Sequence, residues 1–294
     1  MAAGYVLQHR KGHLSRRVQR AMEMLSCCSL CGHNCQVDRF ADTGVCGAGP
    51  DMELASYGPH YGEEQVLVGR GGSGTVFFAR CTLHCMFCQN HDISQGKGRR
   101  MTPAQLSDIM LLLQRRGCAN INFVSPTHFL PQILQAVDLA AARGLELPLV
   151  YNSGGYDSLA GLKLLAGIVD IYMPDMKFAD KATALELTGA PDYPAVNRRA
   201  VAEMYAQVGP LEVNRGQAAK GLLVRHLVLP GGLAGSEETL AWLANHCPGA
   251  GVNVMGQYYP CYRAHGHGVL SRRVSIEEVA GATAVARELG LSLV

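Results

Sequence analysis

From about residue 70 onward, short β-branched or apolar runs alternate with longer runs of helical periodicity, and this alternation limits the fold class more than any other feature. Strands are expected at Thr75–Phe78, Ile121–Val124, Leu147–Tyr151, Val169–Met173, Leu222–Leu229 and Val252–Met255. Helices are expected at Pro103–Arg116, Pro131–Arg143, Ser158–Leu165, Asn197–Gln207, Glu237–His246 and Ile276–Leu289. The first helix is marked at both ends, with Thr102 as N-cap, Pro103 at the first helical position and Gly117 as the stop. Six β/α units in series imply a parallel sheet with helices packed outside, as a curved partial barrel or an open doubly wound sheet. In both, function lies at the carboxyl ends of the strands.

The 294 residues are 48% hydrophobic, enough for a large core. With 26 basic and 24 acidic residues the formal charge is only +2, which argues against a nucleic-acid surface. The N-terminal "MAAGYVLQHRKGHLSRRVQRAMEML" lacks the apolar core and cleavage site of a signal peptide, and no apolar run is long enough to span a bilayer. It reads as an amphipathic helix whose basic residues Arg10, Lys11, Arg16, Arg17 and Arg20 face solvent. The expected location is cytoplasmic, where thiols stay reduced, so the eleven cysteines point to metal or catalysis rather than disulfides. Three segments are expected: a helical segment (1–26), a cysteine-rich metal-binding module (27–69) and the β/α region (70–294).

Seven of the eleven cysteines fall into two clusters. In "RCTLHCMFCQN", Cys81, Cys85 and Cys88 form C-x3-C-x2-C directly after the first strand, with Phe87 before the last thiol. A structural zinc site completed by Cys118 or His84 is one reading, although structural zinc usually takes paired ligands from two ends of a hairpin. Iron–sulfur cubanes are normally held by four thiolates, so three in one loop suggest a cubane with one iron left open for a substrate. Upstream, "CCSLCGHNCQVDRFADTGVCG" supplies Cys28, Cys31, Cys35 and Cys46, a full set that suits zinc or a second iron–sulfur cluster equally. "GRGGSG" (69–74) matches G-x-G-x-x-G, but a strand follows instead of the helix a dinucleotide site requires, so it reads as a flexible turn.

The C-x3-C-x2-C array with its aromatic, placed after the first strand of a serial β/α chain, resembles the radical S-adenosylmethionine (SAM) superfamily. The resemblance implies a partial (β/α)6 barrel whose [4Fe-4S] cluster is held by Cys81, Cys85 and Cys88. It also implies that the open iron chelates SAM and that the reduced cluster cleaves it to a 5′-deoxyadenosyl radical. Phe87 would then pack near the adenine. Further segments resemble the branch containing pyruvate formate-lyase activating enzyme and other glycyl-radical activases. "VDIYMPDMKF" (169–178) is similar to that branch's hydrophobic-D-x-K segment, which implies Asp175 and Lys177 beside SAM, with Lys177 a catalytic candidate. "LVYNSGGYDS" (149–158) resembles its T-N-G turn, bringing in Asn152, Ser153 and Gly154, and "LVRHLVLPGG" (223–232) its fifth strand, bringing in Arg225 and more weakly His226. The N-terminal cysteine block ahead of such a core resembles the activase-like subgroup.

One departure stands at the end of the second strand, where activases carry G-G-E to bind the SAM amine. This chain reads "INFVSPTHFLP", leaving Ser125, Thr127 and His128 as candidates that offer hydroxyls and carbonyls without the carboxylate charge. In "MGQYYPCYRAHGHG" (255–268), Tyr258, Tyr259, Cys261, Tyr262, Arg263, His265 and His267 either line the substrate cavity or close the barrel. Cys118 and Cys247 read as buried small hydrophobes. The expected activity is radical SAM chemistry on a glycine of a partner protein, fed by flavodoxin or ferredoxin. A radical SAM maturase or small-molecule modifier is the alternative, and a zinc or electron-transfer protein without SAM chemistry the third reading.

Overall fold

The computed structural model describes residues 3–96 and 98–294. Along the chain its strands are β1 (Met52–His60), β2 (Ser73–Phe78), β3 (Arg99–Met101), β4 (Ile121–Val124), β5 (Leu149–Ser153), β6 (Ile171–Pro174), β7 (Glu212–Asn214), β8 (Gln217–Leu227), β9 (Gly251–Met255) and β10 (Ser292–Leu293). They form one sheet in the order β10-β9-β8-β6-β5-β4-β2-β1-β3, with β7 a hairpin partner of β8. Every pairing from β2 to β10 along this path is parallel. A doubly wound sheet reverses its order at a switch point; here spatial order follows chain order, so each crossover turns the same way and the helices collect on one side. The architecture is therefore a partial (β/α)6 barrel of β2, β4, β5, β6, β8 and β9.

The barrel strands β2, β4, β5 and β6 are buried on both faces, as a covered parallel sheet requires. Val76, Phe78, Ile121, Phe123, Tyr151 and Val224 pack outward into the main core with the helices. Val150, Ile171, Met173 and Leu223 point inward and meet Leu67. Leu67 lies on a short helix, Gln65–Val68, that plugs the barrel interior, held where Asn120 donates to the Leu67 carbonyl at 2.8 Å.

Three features differ from the sequence expectation. First, the sheet begins inside the 27–69 segment, because β1 pairs antiparallel with β2 from Leu54↔Phe78 to His60↔Ser73. Its "YGPH" end breaks strand propensity, but β3 covers only Met52–Leu54, so Pro59 sits on an open edge where its missing N–H costs nothing. Second, the N-terminal helix splits at Gly12 (φ +67°) into Gly4–Arg10 and His13–Glu23. The second piece buries Leu14 and Ala21 in the core, and Arg17 turns inward to donate to the carbonyls of Leu164 and Ala166 at the end of helix Leu159–Leu165. Third, "GRGGSG" is a packed turn rather than a flexible one. A Cβ on Gly71 would lie 1.9 Å from the Gly117 carbonyl oxygen, and one on Gly74 2.5 Å from that of Asn120. Cys118 and Cys247 are core residues, 3% and 0% exposed. Among the described residues no helix is long and apolar enough to cross a membrane.

Gly71→Ala should lower stability by about 2 kcal/mol through overpacking against backbone. Gly281→Ala, in open space within helix Ile276–Glu288, should raise it by roughly 0.5–1 kcal/mol. Urea unfolding midpoints of the two variants should move in opposite directions.

Candidate active site

The three-cysteine loop leaves β2 through a strained residue. Arg80 has φ +69°, which a side chain with a Cβ adopts at a cost of roughly 1 kcal/mol. It is held there by bonds from its guanidinium to Glu53 at 3.2 and 3.3 Å and from its N–H to the Ile93 carbonyl at 2.9 Å. The loop is then pinned from outside: Met86 N–H donates to Leu187 O and Arg263 N–H to Met86 O, both at 2.9 Å. Cys81 Sγ accepts the Leu83 N–H at 3.4 Å, and Cys88 Sγ meets Ser94 Oγ at 3.3 Å. Burial pushes the Cys81 thiol up to about 11 and the Cys85 thiol up to about 12, while the Lys177 ammonium pulls both back. At neutral pH these are protonated thiols that a metal must deprotonate on binding.

Cys81, Cys85, Cys88 and Phe87 share one cavity with Ser125, Asn152, Ser153, Gly154, Asp175, Lys177 and Arg225. These residues lie within or just past the carboxyl ends of β2, β4, β5, β6 and β8. Lys177 Nζ donates to Asp175 Oδ2 at 2.6 Å. Burial disfavours the ammonium, but Asp175 and then Cys85 outweigh it and lift the Lys177 pKa above its ordinary value. Arg225 is likewise buried and lifted by Glu64, then Asp175 and Glu63. Its Nε faces Glu64 Oε1 at 3.2 Å without the alignment of a hydrogen bond, and Nη1 reaches Asn152 Oδ1 at 3.5 Å. Glu64 also accepts from Asn253 at 2.9 Å, so the acidic residues ahead of the plug helix hold Arg225 from below.

Ser125 carries φ +55°, the left-handed conformation a glycine would take without strain, and its N–H donates to Asn152 O at 2.8 Å. Thr127 does not line the cavity, since its hydroxyl donates to the buried Asp157 at 2.7 Å. Asp157 also receives Tyr151 and Ser153 at 3.0 and 2.7 Å, so Ser153 borders the cavity with its hydroxyl already engaged. His128 and His226 are 2% and 0% exposed, bonded to Ala79 O and to Met176 O. In the 255–268 loop, Met255 and Gln257 line the cavity, Tyr258 packs on Phe87 at 6.2 Å, and Cys261 donates to Phe87 O at 3.3 Å. Tyr262 stacks on His91 at 5.1 Å, and His267 meets Glu186 at 3.0 Å.

Two residues that the sequence reading did not place at the site brace it. Tyr193 accepts the Lys177 N–H at 3.1 Å and lies 2.9 and 3.1 Å from the carbonyls of Gly154 and Asp175. Asn197 donates to Gly155 O and Asp175 O at 3.0 and 2.8 Å. Their spacing of four on helix Tyr193–Val208 puts both on one face, the sole sequence signal they offer.

The upstream cysteines form a tight hairpin, in which Cys28 N–H donates to Val37 O and Gln36 N–H to Cys28 O, both at 2.9 Å. Asn34 and Gln36 hold left-handed φ values of 43° and 55°. Burial raises the Cys31 thiol, and the charges of Cys46, Cys35 and Cys28 raise it further. The backbone N–H groups of His33 and Ala48 pull the Cys31 and Cys46 thiols part of the way back down. Beside Cys46 the guanidinium of Arg39, 1% exposed, donates to the carbonyls of Ala48, His128 and Gly49, and among the described residues it meets no carboxylate. In neither cysteine set do three side chains gather closely enough to share a single metal ion, among the described residues. A lone tetrahedral ion with bonds of about 2.3 Å holds its sulfurs roughly 3.8 Å apart, whereas a cubane spreads them over separate irons.

Residues 75–210 match the model of the radical SAM superfamily. The chain is 30% identical to the uncharacterized protein MJ0674 of Methanocaldococcus jannaschii over 292 residues, covering 96% of this chain and 80% of that one. Its fold is similar to a radical SAM methyltransferase from Sphaerobacter thermophilus, with a TM-score of 0.51 at 16% identity. That likeness covers 76% of this chain, which spans 65% of the methyltransferase's length.

His128 makes acid stability a test of the packing behind the cysteine loop. Burial pulls its pKa down to about 3, against the Ala79 bond, which raises it. An unfolded histidine takes a proton near pH 6.5, so as pH falls the unfolded state binds a proton that the native state refuses. Stability should fall by about 1.4 kcal/mol per pH unit from this residue below pH 6.5, easing toward pH 3. His128→Gln should remove that slope in urea titrations between about pH 7 and pH 5.

Proposed function

Since the chain belongs to the radical SAM superfamily, we propose that Cys81, Cys85 and Cys88 hold its [4Fe-4S] cluster and that SAM binds in the cavity beside them. The carrying observation is the donor set: three thiols enter the cavity, its other lining residues include no cysteine or histidine, and Asp175 is tied to Lys177. That set fits a cubane with one open iron. When bound, the reduced cluster and SAM supply a 5′-deoxyadenosyl radical; the chain's part is to bind, orient and exclude water. Phe87 offers an apolar ring for the adenine, and Asn152, Asp175 and Ser125 offer acceptors for ribose hydroxyls and the amine. Lys177 and Arg225 are buried cations suited to a carboxylate and to the negative charge of thiolate-bound iron.

We assign the radical's target as a glycine of a partner protein, in the cytoplasm, with flavodoxin or ferredoxin as electron donor. Support for this assignment is the likeness of 149–158, 169–178 and 223–232 to glycyl-radical activases. A second reading, modification of another peptide or small molecule, draws on Ser125-Pro126-Thr127 standing where activases carry G-G-E.

Anaerobically prepared protein should be brown and contain iron and sulfide, and reduction in the presence of SAM should release 5′-deoxyadenosine. Cys85→Ala should abolish that product, and Lys177→Ala should lower its rate by roughly 10-fold or more. A colourless protein with zinc and no iron would refute the reading. A glycyl radical signal on a candidate partner supports the activase assignment; release of 5′-deoxyadenosine without such a signal on any partner favours the second reading.

A further inference from the structure

The four-cysteine module has no task in the chemistry above, yet it is joined to the catalytic loop from both sides. His33, between Cys31 and Cys35, donates from Nε2 to the Thr82 carbonyl at 2.7 Å, next to Cys81. His84, next to Cys85, donates from Nε2 to the Val45 carbonyl at 2.9 Å, next to Cys46. A carbonyl only accepts, so each ring carries its proton on Nε2. A third connection is aromatic. His33 meets Tyr156 edge-on at 5.0 Å, Tyr156 stacks on Tyr193 at 5.9 Å, Tyr193 meets Phe178 at 5.7 Å, and Phe178 meets Phe87 at 6.0 Å. The file runs without a gap from the module to the residue between Cys85 and Cys88.

The module's own chemistry fits a metal–thiolate centre that changes charge. Among the described residues no three of its side chains come to single-ion spacing, and the same holds for the catalytic three. Arg39 supplies a buried positive charge with no carboxylate partner among the described residues, which an anionic cluster would neutralise. A staple of zinc needs none of the bonds that run to carbonyls beside the other site's cysteines.

We propose that Cys28, Cys31, Cys35 and Cys46 hold a second iron–sulfur cluster, which passes single electrons to the cluster at Cys81, Cys85 and Cys88 through the contacts of His33 and His84. This inference rests on the radical SAM reading above. In the step, a low-potential one-electron donor protein is oxidised by one electron and the catalytic cluster is reduced by one. No covalent bond forms or breaks and no proton moves.

The test uses the full chain, reconstituted anaerobically, with iron and zinc counted and both clusters followed by electron paramagnetic resonance. Wild type should hold roughly eight irons and a Cys28→Ser/Cys31→Ser double variant roughly four. His33→Phe keeps the ring against Tyr156 and deletes the bond to Thr82, so it should retain all the iron. Reduction of its catalytic cluster by reduced flavodoxin should slow about 10-fold, while reduction by dithionite keeps its rate. Zinc in place of the second set of irons overturns the proposal, and so does unchanged reduction of His33→Phe by flavodoxin. If SAM leaves the signal of dithionite-reduced wild type unaltered, the radical SAM reading itself falls, and this inference with it.

Discussion

A parallel strand can return beside its predecessor only through a crossover, and in this chain the successive crossovers all turn one way. The site depends on that constraint. It carries the ends of β2, β4, β5, β6 and β8 to one rim, so that a thiol loop, a hydroxyl, an amide, an ion pair and an arginine from five separate stretches of chain border one cavity. Arg225 meets Asn152 and Glu64 from far along the chain, whereas Lys177 has its carboxylate two residues away.

Gathering charges in a buried place has an electrostatic cost, and the structure meets it by pairing. Lys177 is balanced by Asp175, and Arg225 by Glu64 below and Asp175 beside it. The same burial keeps the cysteine thiols protonated until metal displaces the protons. Strain sits where geometry is demanded of the chain: Arg80 at the root of the cysteine loop, Ser125 at the rim, and Asn34 and Gln36 in the upstream hairpin all hold left-handed conformations. Such conformations persist only where surrounding bonds over-determine them.

The second cysteine set is inseparable from this arrangement. Arg39 ties the Cys46 loop to the His128 carbonyl, and His128 bonds the Ala79 carbonyl two residues before Cys81. With the His33 and His84 bridges, the hairpin and the catalytic loop behave as one packed unit. β1 explains how this unit is anchored, since the chain leaving the hairpin enters the barrel sheet next to β2.

Local patterning was enough to determine the six β/α units, their approximate bounds, the three-thiol loop and the grouping of the upstream four cysteines. Periodicity, caps and cysteine spacing are properties of neighbouring residues, and "PDMK" announces its own ion pair. The direction of winding, β1 beside β2, the plug helix, and the bracing by Tyr193 and Asn197 were decided by tertiary structure. So was the engagement of Thr127 with Asp157 rather than the cavity, because a hydroxyl's partner depends on which strand lies next to it. The bridges from His33 and His84 belong to the same class: residues 49 and 39 positions apart meet through packing alone, and no local signal in the chain records where a carbonyl will lie.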